Sequence, residues 1–233
     1  MAPIRGRRAE TPTPRAPVDR APADRDDALV FRNNRKVLKE ERRYIQRRYE
    51  KERRINLRAA PGPHEFALVL DHLKPTYNVG KIFRSADAFG AGEVHLIGID
   101  FFDPSPGMGS FKWVPARWHD DFAACQADLT GRGYTLFVAE PVESAALPTV
   151  ELPRKSAFVF GHEEFGISFD KADFPDVRSV MIPQYGRVQS LNVSIAASVA
   201  MYEYVRQHGA EFPPPRVPVG RSGVPAPEPE AAE

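Results

Sequence analysis

Between residues 64 and 208 the sequence alternates short, largely apolar runs with longer stretches of helical period. This alternation restricts the fold more than any other feature. A strand with polar residues at every second position leaves one face in water, whereas an apolar strand must be covered on both faces. Residues 66–70, 93–99, 134–139, 157–160 and 177–182 read as strands of the covered kind. Helices are expected over 79–89, 120–129 and 191–207. The pattern implies an α/β fold, a parallel sheet with helices on both faces. No internal repeat is visible.

The flanks have a different character. Residues 1–31 are rich in Pro, Ala, Arg and Asp and are expected to be disordered, as is the Pro-rich segment 209–233. Residues 32–60 lack Gly and Pro up to position 60, and Val37, Leu38, Tyr44, Ile45, Tyr49 and Ile55 form a loose helical stripe. That segment is expected to be a basic amphipathic helix, stopped by Pro61-Gly62-Pro63, with Tyr44 and Tyr49 packed on the body. Charge divides along the same line. The overall formal charge is +1, but residues 1–58 carry eighteen Lys/Arg against nine Asp/Glu, and residues 59–233 carry fourteen against twenty-two. A basic arm on an acidic body points to a polyanionic partner, with segment 32–58 as the candidate arm.

One cysteine, Cys125, excludes an internal disulfide and is expected to be a small packing residue. Neither a signal-peptide pattern nor an apolar run of about 20 residues occurs, so a cytoplasmic protein without a membrane span is expected.

Three segments carry chemistry. Asn78-Val79-Gly80 opens the first helix, where Asn78 can cap and Gly80 permits close approach of a ligand or another chain. Ile82, Phe83, Ala86 and Phe89 make its buried stripe and leave Arg84 off that face, available as an anion clamp. Gly161-His-Glu163-Glu-Phe-Gly166 follows an apolar run and makes a tight loop, without the patterns of a P-loop or a dinucleotide fingerprint. Ile182-Pro183-Gln184 then leads to Ser190-Leu191-Asn192-Val193-Ser194, with Ser190 expected to open a helix of small residues. Backbone N–H groups between a strand end and a helix start are a usual ligand position in α/β proteins.

Taken in order, Asn-x-Gly-x-x-x-Arg, Gly-x-Glu-x-x-Gly and Ile-Pro with Ser-Leu-Asn-Val-Ser resemble the three motifs of the SpoU/TrmH RNA 2′-O-ribose methyltransferases, in the SPOUT superfamily. The resemblance covers about residues 64–208. One departure is Gln184, where many members have Met, and it is expected to tune the site.

The resemblance implies a C-terminal deep trefoil knot, a homodimer and S-adenosyl-L-methionine as cofactor, with no metal. It implies adenosine contacts at Gly161, Ile182 and Leu191, and a reaction centre lined by Arg84, Asn78, Glu163, Asn192 and Ser190. The reaction implied is methyl transfer to a ribose 2′-hydroxyl of tRNA or rRNA, with tRNA favoured because the chain has no room for a separate globular RNA-binding domain. A non-catalytic RNA-binding protein of the same fold is the alternative; base methylation by a related knotted enzyme fits the motif set less well.

Overall fold

A computed structural model of the chain describes residues 25–140 and 144–209, with side chains from residue 37 onwards. The disorder expected before residue 25 and after residue 209 lies outside the described residues. Residues 25–31 are helical, so the N-terminal helix α1 (Arg25–Asn56) begins earlier than its composition suggests. Two compact units divide the chain between residues 43 and 44, within this helix.

In the second unit, a seven-stranded parallel sheet runs in the order β3-β2-β1-β6-β4-β7-β5. Its strands are β1 (Phe66–Asp71), β2 (Glu93–Ile97), β3 (Ala116–His119), β4 (Thr135–Ala139), β5 (Ala145–Ala146), β6 (Ser156–Phe160) and β7 (Arg178–Met181). β1 and β6, the central pair, are buried along their whole length. Their register aligns Leu70 with Phe160, so both strands end at the same edge. Helices α2 (Tyr77–Ala88), α3 (Phe122–Gly131) and α4 (Val193–His208) cover the sheet.

Side chains alternate between two apolar clusters, one on each face. Leu68, Leu70, Phe158 and Phe160 join Ile82, Phe83, Ala197, Met201 and Tyr204 on one side. Ala67, Val69, Ala157 and Val159 join Phe122, Cys125 and Leu129 on the other. Cys125 is therefore a packing residue, and burial pushes its thiol up to about 12. Among the described residues no helix is long and apolar enough to cross a membrane.

The C-terminal end of α1 belongs to this core. Tyr49 is buried, stacks on Phe111 and donates its hydroxyl to Asp100 O at 2.7 Å. Asn56 is also buried; its Nδ2 donates to Phe111 O and Val114 O at 2.6 and 2.7 Å. Val37, Leu38 and Tyr44 are exposed, so the expected apolar stripe holds only in the C-terminal portion of α1, and the packing expected of Tyr44 is not found, whereas that of Tyr49 is.

Gly80 serves this chain's own packing. A Cβ there would come 2.8 Å from Asp103 O, so the Asp103–Gly107 backbone, rather than a ligand or a second chain, fills the space.

Candidate active site

Three loops meet where β1, β6 and β7 end. β1 ends in Asp71, a fully buried carboxylate. Its Oδ2 accepts from Ser168 N at 2.6 Å and its Oδ1 from Ser168 Oγ at 2.8 Å, tying the loop after β6 to the strand beside it. That loop is a tight reversal: His162 N donates to Gly166 O at 2.7 Å, and Gly166 N donates back to His162 O at 2.9 Å. Gly166 has φ +74°, which favours glycine. Gly161 lies directly beneath it. A Cβ on Gly161 would stand 2.4–2.5 Å from Gly166 C, Gly166 O and Ile167 N, all backbone atoms.

The tight reversal places Glu163 between the loops. Its Oε1 accepts from Asn78 Nδ2 at 2.9 Å and its Oε2 from Lys74 N at 3.2 Å. Burial alone would raise the Glu163 pKa, but these donors hold its carboxyl below the usual range. Asn192 Nδ2 in turn donates to Asn78 Oδ1 at 3.3 Å. A chain Asn192–Asn78–Glu163 thus joins the loops after β7, β1 and β6.

Two expectations change here. α2 is preceded by Thr76 at its N-cap position, and Asn78 lies inside the first turn with its side chain committed to Glu163. α4 is capped by Asn192, not opened by Ser190. Asn192 Oδ1 accepts from Ser194 N at 3.0 Å and Ser194 Oγ at 2.6 Å, while Ser190 is an exposed loop residue.

The loops enclose a cleft of about 590 Å³. Gly161, Ile182, Leu191, Glu163, Ser190 and Asn192 all line it, six of the eight residues singled out in the sequence. Asn78 reaches it through its two hydrogen bonds. Arg84 does not line it. Six residues beyond Asn78, it stands about 9 Å further along α2 and roughly 240° around the axis. It is exposed and, among the described residues, has no hydrogen-bonded or ionic partner.

Sequence reasoning missed Asp71, Lys74, His162, Glu140 and the role of Gln184. Gln184 Oε1 is buried in the cleft wall without a hydrogen-bond partner. Only Gln184 had a sequence signal, as a departure from the family pattern; Asp71, Lys74 and Glu140 pair with distant segments, and His162 acts within its own turn.

The cleft suits S-adenosylmethionine. Phe160, Ile167, Ile182 and Leu191 provide apolar wall, the Gly161–Gly166 stack brings backbone close, and the Glu163 carboxylate suits a cationic ligand, whereas the Glu140 carboxylate is paired with Lys171 Nζ at 2.6 Å.

On the far side of β2, Glu93 is 5% exposed on its side chain, 2.5 Å from Arg132 Nη1 and 3.1 Å from His95 Nε2. His95 Nδ1 faces His119 Nε2 at 2.7 Å, and Cys125 lies nearby. The Arg117 and Arg132 pairs with Glu93 occupy that cluster's charge, and it does not adjoin the cleft.

A family model described as the SpoU rRNA Methylase family matches residues 65–202. A tRNA (guanosine(18)-2′-O)-methyltransferase of Thermus thermophilus is 34% identical over 148 residues, covering 61% of this chain and 75% of that protein. A protein of the same description from Escherichia coli is 30% identical over 147 residues, covering 61% of this chain and 64% of that protein. The crystal structure of the SpoU methyltransferase AviRb from Streptomyces viridochromogenes, in complex with AdoMet, aligns with TM-score 0.57 and 25% identity. It covers 66% of this chain and 61% of that one.

Proposed function

The chain belongs to the SpoU rRNA methylase family, and on that premise we propose that it transfers a methyl group from S-adenosylmethionine to a ribose 2′-hydroxyl of tRNA. The observation that carries this reading is the Asn192–Asn78–Glu163 chain, which draws all three motif loops around one cleft. A substrate in tRNA rather than rRNA is supported by the names of the two relatives above.

When bound, S-adenosylmethionine supplies an electrophilic methyl group on a cationic sulfur. Gly161, Ile182 and Leu191 would hold the adenosine, the missing Cβ at Gly161 letting the Gly166–Ile167 backbone stack closely behind it. Glu163 and Asn192 keep the loops closed on it, and Ser190 lies at the open rim. Desolvation and alignment supply most of the acceleration.

The 2′-hydroxyl must also lose a proton. Removing a proton from a guanidinium at pH 7 costs about 7 kcal/mol, so Arg84 acts better as a cation than as a base. It would hold a phosphate of the bound RNA as a cation, with the 2′-hydroxyl proton leaving through phosphate or water. The unpaired, exposed state of Arg84 supports this reading, since nothing in the described chain neutralises it.

The finer architecture belongs to the same proposal. The segment from β6 onward forms a deep trefoil knot; support comes from the strand order, with β6 inserted between β1 and β4 and β7 returning beside β4. Two chains pair through α4. Ile195 and Tyr202, two turns apart on that helix, are 53% and 59% exposed and leave an apolar face that pairing would cover. The basic helix 32–58 contacts RNA phosphates, the core domain spans 64–208, and the protein acts in the cytoplasm.

Incubation with labelled S-adenosylmethionine and bulk tRNA tests the activity. Label in alkali-resistant dinucleotides is expected. RNA binding without transfer would support the non-catalytic alternative instead.

A further inference from the structure

Away from the motif loops, the end of α1 and the turn at Ser110–Lys112 enclose a second cleft of about 590 Å³. Its walls carry Arg54, Arg58, Lys112 and Trp113. Both arginines are exposed, and none of the three cations has an ion pair among the described residues. Arg54 Nε reaches only Glu50 O of its own helix, at 3.3 Å.

The chain's two tryptophans are used differently. Trp118 lies partly buried beneath Arg53, at 4.4 Å from guanidinium to ring, and its Nε1 donates to Ile99 O. Trp113 is 59% exposed, its indole N–H has no partner among the described residues, and only Lys112 Nζ stands over it, at 5.4 Å. Trp113 thus presents an open aromatic face beside three cations that have no ion-pair partner among the described residues.

The two walls are fixed to one another. Asn56, between Arg54 and Arg58, donates to Phe111 O and Val114 O and accepts from Ala116 N at 3.2 Å, pinning the helix end to the segment that bears Trp113. The Ser110–Lys112 turn also packs against α2, the helix that carries Asn78 and Arg84. The cleft is therefore a rigid platform joined to the helix of the first motif.

We propose that this cleft binds an unpaired nucleotide of the substrate RNA, its base stacked on Trp113 and its flanking phosphates held by Arg54, Arg58 and Lys112. A platform of one aromatic ring among cations is the usual means of gripping single-stranded nucleic acid without reading its sequence. The site is separate from the methyl-transfer cleft and rests on the RNA methyltransferase reading above.

Full-length wild type, Trp113→Ala, Trp113→Phe and an Arg54→Gln/Arg58→Gln/Lys112→Gln triple variant would be compared. Each is titrated with tRNA at several salt concentrations, with cofactor affinity measured by calorimetry. Loss of one stacked base, about 1–3 kcal/mol, corresponds to roughly 5- to 150-fold weaker RNA binding for Trp113→Ala. Trp113→Phe recovers most of it, and cofactor affinity is unchanged in all variants. The triple variant lowers the slope of log affinity against log salt by about 2, from about 0.7 per single-strand phosphate contact. Unchanged RNA affinity and salt slope in the variants, with methyl transfer intact, would overturn this inference and leave the enzyme reading standing. So would a Trp113-dependent affinity for an acidic peptide with none for RNA. Wild type that neither binds nor methylates RNA would overturn both.

Discussion

Replacing Gly161 by alanine tests the loop geometry at its tightest point. The new methyl carbon would lie 2.4–2.5 Å from Gly166 C, Gly166 O and Ile167 N, where ordinary contact begins near 3.4 Å. The loop must therefore open by about 1 Å, and its atoms are backbone held by the reciprocal His162–Gly166 hydrogen bonds. Overpacking of this kind costs about 1–3 kcal/mol. Gly161 lies outside the positive-φ region, so alanine also stiffens the unfolded chain and returns about 0.4–1 kcal/mol. The net expectation is a loss of about 1–2 kcal/mol in denaturant unfolding. Binding should suffer as well, because the displaced loop carries Glu163 and Ile167 into the cleft. Calorimetry should show S-adenosylmethionine affinity reduced at least tenfold, about 1.4 kcal/mol. A variant with wild-type stability and wild-type affinity would refute the argument that this loop's close stacking shapes the cleft.

Asn192→Ala removes the α4 cap, worth about 1 kcal/mol, together with the link to Asn78, so both cofactor binding and turnover should fall. Normal calorimetric affinity would contradict that. Glu93 is buried, which would raise its pKa, but His95, Arg117 and Arg132 pull it down to about 2. Its folded value is depressed, so its contribution of about 3 kcal/mol is present above pH ~4.5 and lost as pH falls towards 2. Glu93→Gln should flatten that acid limb in unfolding experiments; parallel curves would sink the assignment. Truncation of residues 1–43 leaves Tyr49 and Asn56 in place and should weaken RNA binding while sparing cofactor affinity. Unchanged RNA affinity at moderate salt would end the case for the arm. Arg84→Lys should lower turnover, and full activity with an unchanged pH–rate profile would count against a specific guanidinium role.

The parallel sheet was legible because β1 and β6 are buried on both faces and so contain almost nothing polar. β3 was not, since Ala-Arg-Trp-His sits at the sheet edge, only partly buried, and need not be apolar. β5 has two residues, too few for a period. Six of eight motif residues line the cleft because each occupies a strand end or the loop after it. The true helix start at Asn192 was obscured because Ser190 and Asn192 are both good capping residues, and only the Ser194 N–H decides between them. Asp71 was invisible for a different reason. It reads as the last polar residue of a strand, and its function appears only once β6 pairs beside β1 and brings Ser168 to it across 97 positions. Trp113 likewise has no periodic signature; its exposure depends on where Asn56 pins the neighbouring chain.

The central claim is that the three-loop cleft places a methyl group on a ribose oxygen. Ribose-methylation mapping of total RNA, with and without this protein and with the Arg84→Ala variant in its place, tests it directly. The account predicts at least one 2′-O-methyl nucleotide, in tRNA, that depends on the wild-type protein and is lost or strongly reduced in the variant. An identical ribose-methylation map in all three would contradict it.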